Sequence, residues 1–258
     1  MHNLHMVIRS KQMTMMEEAY NAAFQDEMVQ HLWQFSPSLC KAIGDPGVRS
    51  VVSLGITRAN KYGLTYRGPV RSYLETMLAF GSDFDTDFQY PWAAEALNEN
   101  FPTQMERATR LFEGVSKYYE SAMGPDNEFG IAAMRRFTSM RPEDFVTGTG
   151  SLDTRITSAL RRMYPQKCDY VGDAVLARLV EKGRAAAKLH SMPGDAPIGL
   201  FAGLMFGFGH GVENDPLYPW VRRTLDDPLL ATPQDRAARL LDKVTVYART
   251  VLANIDKG

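Results

Sequence analysis

The feature that most constrains this chain is that it repeats itself. Shifted by 128 residues, the stretch from Pro37 to Trp92 lies over Pro165 to Trp220 without a gap, and 15 of the 56 positions are identical. Average residue usage would give about four matches by chance. The matches include Pro37/Pro165, Cys40/Cys168, Gly44–Asp45/Gly172–Asp173, Gly55/Gly183, Met77/Met205 and Phe80–Gly81/Phe208–Gly209. The block closes on Asp87 with Tyr90–Pro91–Trp92, mirrored by Asp215 with Tyr218–Pro219–Trp220. With one residue inserted the match resumes, Arg107–Ala108 on Arg236–Ala237 and Tyr118 on Tyr247. This period is far above the roughly 20–50 residues of stacked-repeat proteins, so it predicts a duplicated domain.

Apolar spacing makes both copies helical. From Lys11 to Phe35, apolar residues at Met13, Met16, Tyr20, Ala23–Phe24, Met28, Leu32 and Phe35 follow a three-to-four spacing, which predicts one long amphipathic helix. Ser36–Pro37 stops it, and Asp45–Pro46 starts the next helix with a capping side chain and a proline in the first turn. Gly55 and Gly183 sit at matching places inside helices, where glycine costs about 1 kcal/mol relative to alanine. That recurrence predicts a close helix crossing in each copy. Few alternating runs occur, so no sheet is expected. The fold class is therefore all-α, two tandem homologous helical-bundle domains from an internal duplication. The first spans residues 1–123, a linker 124–150, and the second 151–258.

Composition excludes several functions. Net charge is −1 with basic and acidic residues spread through both halves, unlike the one-sided basic surface that binds nucleic acid. The longest nearly apolar run, Ile198 to Gly209, is too short to span a bilayer. The start, MHNLHMVIRSKQM, lacks the apolar core of a signal peptide, so a cytoplasmic protein with no membrane partner is expected. Cys40 and Cys168, at matching positions, are expected to be small buried thiols rather than a disulfide.

Candidate chemistry is sparse. Asp83, Asp85 and Asp87 in GSDFDTDFQYPW alternate as calcium ligands do, but Phe88 and Ala94 stand where such a loop needs glycine and glutamate. His210, Glu213 and Asp215 cluster in the matching loop without a second ligand pair at helical spacing. His2, His5, His31 and His190 are scattered singly. No nucleophile elbow, phosphate loop, dinucleotide fingerprint or Cys-x-x-Cys occurs, and GTGS at Gly148–Ser151 has no preceding strand. No cofactor, metal or catalytic residue is identified. Loop tips that differ between the copies are the expected partner-binding positions: Asp83, Asp85, His210 and Glu213. Tyr90–Pro91–Trp92 and its twin are expected in the core, as are the methionines of the first helix.

The stretches QDEMVQHLWQFSPSLCKAIGDPGVRSVVSLGITRANKYGL and MLAFGSDFDTDFQYPWAAEAL resemble a bacterial all-helical family associated with type VI secretion effector loci. The resemblance covers about Ile8 to Met123 and, more weakly, the second copy. It implies an accessory protein to a secreted toxin, either a cognate immunity protein or an effector-loading chaperone, with the effector as partner. No functional residue carries over from it. A helical metal-dependent enzyme using the acidic loops, and a scaffold with two equal partners, are the readings from other classes.

Overall fold

The computed structural model describes residues 10–98 and 103–255. Among them there are helices and turns and no strand. Helix α1 (Ser10–Phe35) leads into α2 (Pro37–Lys61), which bends at Gly44, where φ is 75°. The bend separates the proline-led segment at Pro37 from the one starting at Asp45, where the sequence places two starts. Helix α3 (Arg67–Phe80) crosses α2 at Gly55, where a Cβ would run into the side chains of Leu74 and Met77. Helix α4 (Pro91–Asn98) begins at its proline, and α5 (Gln104–Tyr118) is opened by a reciprocal capping box between Thr103 and Glu106.

The second half lays out its elements in the same order. After α6 (Glu128–Phe137) come α7 (Leu152–Met163), α8 (Pro165–Val171) and α9 (Asp173–Leu189), with Gly172 at φ 81° between the last two. Helix α10 (Asp195–Phe208) crosses α9 at Gly183, where a Cβ would lie 2.6 Å from the Ile198 carbonyl oxygen. Then follow α11 (Pro219–Leu225) and α12 (Pro233–Ile255).

Three expectations change. The segment 124–150 is more than a linker, because α6 packs on α12 and the 3₁₀ turn Pro142–Phe145 packs on α10. Phe145 is fully buried there, and an added Cβ would collide with its ring at Gly203 and with the Phe145 Cβ at Gly199. The buried side chains of both halves also form one continuous cluster rather than two separate cores. Finally, Met105 of α5, an apolar residue expected from helical spacing to face inward with Leu111 and Val115, is exposed to solvent. Cys40 and Cys168 are both buried free thiols, and Tyr90 and Tyr218 are buried with Trp92 and Trp220 packed beside them.

Candidate functional site

The loops after α3 and α10 meet at the seam between the halves. Gly81 (φ 97°) ends α3 and Gly209 (φ 99°) ends α10. They lie back to back: a Cβ on Gly81 would sit 2.6 Å from the Phe208 carbonyl oxygen, and one on Gly209 2.9 Å from that of Phe80. Positive φ and this approach together require glycine at both positions. Across this contact the loops exchange hydrogen bonds. The His210 amide donates to Asp87 Oδ2 at 2.8 Å, and the Ser82 amide donates to Asp215 Oδ2 at 2.8 Å. The Ser82 hydroxyl adds a bond to Asp215 Oδ1 at 2.6 Å. Each aspartate also holds its own loop, Asp87 through the Gln89 amide and Asp215 through the Leu217 amide. The repeat flagged Asp87 and Asp215 as a matched pair, but sequence spacing alone gave no sign that they cross between halves.

The two aspartates differ in their electrostatics. Burial works against the charge of Asp87, yet hydrogen bonds from His210 and the Gln89 amide leave its pKa below the ordinary value. The His210 ring completes this side, its Nδ1 3.4 Å from Asp87 Oδ1 and its face stacked on Phe88, over whose ring the Arg178 guanidinium also lies. Asp215 has no cation in contact, and burial raises its pKa despite the bonds from Ser82.

Of the four expected partner-binding residues, Asp85 is the one the structure places furthest from that role. It is 3% exposed. The Arg58 guanidinium clamps both its oxygens, and the hydroxyls of Tyr73 (2.8 Å) and Tyr62 (3.0 Å) donate to it. Asp83 is half-buried and takes the remaining end of the same guanidinium. The expected exposed acidic edge is thus turned inward. Burial opposes the charge on Arg58, but Asp85 and Asp83 outweigh it and push its pKa up. Burial followed by Asp85 also pushes Tyr62 up to about 12.

In the second half the matching positions hold different chemistry. Glu213 stands where Asp85 does, His190 where Tyr62 does, Phe201 where Tyr73 does and Ala186 where Arg58 does. Glu213 Oε2 lies 3.5 Å from His190 Nε2, and the His190 ring stacks on Phe201. His31 pairs with Glu75 at 2.7 Å, and His2 and His5 lie outside the described residues. Among the described residues no three histidines, cysteines or carboxylates are grouped as a metal site would need.

Lys167 was not singled out by sequence reasoning, which saw only a lysine in a short helix. It is 2% exposed and donates to the Tyr90 hydroxyl (2.9 Å) and the Phe206 carbonyl (2.5 Å). Its ammonium lies 4.8 Å from the Phe206 ring centre and 5.3 Å from that of Tyr90. Burial pushes its pKa down to about 8. Tyr90 belongs to the first half, so this lysine also ties the seam.

The seam is therefore held by hydrogen bonds exchanged between the halves, while His210 Nδ1 and Gln89 Oε1 are buried there without a hydrogen-bond partner. No family model, curated protein or solved structure matches the chain. Among the described residues no helix is long and apolar enough to cross a membrane.

The exposed chemistry lies on α1. Met28, Val29 and Leu32 are buried, and α1 packs there on α2 and α3. Toward the N-terminus, from Gln12 to Ala23, every side chain is exposed. Twelve residues at 1.5 Å each make an arm about 18 Å long. Met13 is 54% exposed, Met15 60%, Met16 63% and Tyr20 60%. The amphipathic stripe expected to enter the core therefore does so only over its second half. The hydrophobic periodicity is the same along the helix, but the body of the protein reaches only its C-terminal turns.

Proposed function

We propose that this chain is a non-enzymatic protein-binding protein that neutralises a cognate type VI secretion effector toxin acting in the cytoplasm, an immunity protein. The observation that carries this reading is the α1 arm, where four large apolar side chains stand in solvent on consecutive turns. A run of exposed apolar surface on one element marks an interaction site, and methionine's flexible thioether adapts to a partner's shape. The buried acids and the buried lysine support the same view, since each is engaged in holding the loops and halves together. The chain acts by occupancy, covering its partner's active surface or preventing its assembly.

We further propose that the two halves descend from an internal duplication. The recurrence of the Gly44/Gly172 bend, the Gly55/Gly183 crossing and the reciprocal Asp87/Asp215 contact supports that origin.

The test is co-expression with the toxin encoded beside the gene. Growth rescue with a stable complex is the expected result. A complex that raises effector abundance or secretion without protecting cells would assign the loading-chaperone role instead. No complex and no rescue would contradict the reading.

A further inference from the structure

Resting on that reading, we propose that the α1 arm receives a lysine- or arginine-bearing amphipathic helix of the partner. Met13, Met16, Tyr20 and Ala23 recur at three- and four-residue steps, so they share one face of α1 as a seam for a second helix. Between Gln12 and Gln25 the only ionised side chains are Glu17 and Glu18, and no lysine or arginine is present. Glu17 is one residue from Met16 and three from Tyr20, which places a carboxylate at the border of the apolar stripe.

Nearer the body, the acids of α1 already have partners. Asp26 is paired with Arg49, and Glu27 with Arg67 and Arg71. Glu17 and Glu18 have no ion pair among the described residues, and they supply the negative charge that an incoming segment meets. A second copy of this chain fits the arm poorly. Two arms packed about a two-fold axis would bring the Glu17 carboxylates of both copies to one seam with no lysine or arginine of the arm to offset them. A basic amphipathic helix instead covers Met13 and Met16 while its cations pair with Glu17 at the border of the stripe and meet the wider negative charge of the arm.

The experiment titrates the full chain into two fluorescent synthetic 14-residue helical peptides. Both carry leucines on one face, flanked by lysines in one peptide and by glutamates in the other, and anisotropy is read at low and high salt. The lysine peptide is expected to bind at least about tenfold more tightly than the glutamate peptide, with the difference shrinking as salt rises. Binding is expected to vanish in the M13S/M16S/Y20S variant and to weaken about tenfold in E17K/E18K. All these positions are exposed, so an unchanged thermal transition confirms that the variants are folded.

Equal binding of the two peptides, binding that survives the arm substitutions, or no binding would each overturn the inference. An arm-dependent dimer in sedimentation equilibrium would overturn it in favour of a second copy. A chain that rescues growth yet fails these titrations loses only this inference. One that binds the lysine peptide yet never protects cells loses the toxin reading instead.

Discussion

At the scale of single residues, some polar groups at the seam gain from their surroundings, whereas burial works against the charge of others, Asp215 and Lys167. Asp87 sits in contact with His210, and Asp85 sits in the fork of Arg58, but Lys167 faces aromatic rings and a carbonyl with no carboxylate in contact. Its pKa of about 8 lies below the ordinary 10.5, which fixes the sign of its effect. Below pH 8 the lysine is charged in both the folded and unfolded chain, and its burial is a constant penalty. Between pH 8 and 10.5 the unfolded chain keeps a proton that the folded chain has lost, so stability rises with pH by roughly 3 kcal/mol in total. Cys40 and Cys168, raised by burial above their ordinary 9.0, oppose this above pH 9, and Tyr90, Tyr118 and Tyr218, raised by burial above their ordinary 10.0, above pH 10, because the unfolded chain then ionises first. Urea melts across pH 7 to 10 are expected to show the native chain gaining stability relative to Lys167→Met as pH rises above 8. A second prediction concerns Asp85, for which Asp85→Asn leaves the Arg58 guanidinium without its main partner. Loss of a buried partner of this kind costs about 3–5 kcal/mol, whereas E17K/E18K on the arm is expected to move stability by no more than about 0.5 kcal/mol. The same melts measure both.

At the scale of elements, the helices were legible where a local signal marked their ends. Proline at Pro91 and Pro219, the Asp45–Pro46 pair and the glycines at positions 81 and 209 stop and start the chain where the structure does. The close crossings at Gly55 and Gly183 were also readable, since a mid-helix glycine recurring at matching positions of both halves needs a cause. The structure adds a difference between them. A Cβ at Gly183 meets main-chain atoms, 2.6 Å from the Ile198 carbonyl and 2.9 Å from the Ala202 nitrogen, which cannot move without parting α9 from α10. A Cβ at Gly55 meets the ends of Leu74 and Met77, which can rotate. Gly183→Ala is therefore expected to cost about 2–3 kcal/mol and Gly55→Ala about 1 kcal/mol less, as read from the midpoints of chemical denaturation. The α1 arm was not legible in this way. Periodicity reports that a helix has an apolar face, but how far the rest of the molecule extends along that face depends on tertiary packing.

At the scale of the whole molecule, the candidate site was the part least visible in the sequence. Asp83 and Asp85 read as a solvated acidic tip because nothing local announces Arg58, which approaches from α2 across a gap of 25–27 residues. The exchange between Asp87, His210, Asp215 and Ser82 spans more than 120 positions and follows from how the halves meet. Lys167 reaches Tyr90 in the same way. With the seam closed by these bonds and the apolar cluster continuous through it, the two halves are expected to unfold together. Calorimetry should show one transition, and two separated transitions would mean that the seam is weaker than its contacts imply. The central claim is that the chain works by docking a partner on the exposed face of α1. Its most direct test is methionine-oxidation footprinting of the protein with and without the proposed toxin partner. Oxidation of Met13, Met15 and Met16 should be rapid in the free chain and strongly suppressed in the complex, while buried Met28 and Met77 stay protected throughout. Unchanged oxidation of the arm methionines in a formed complex would place the interface elsewhere and contradict the account.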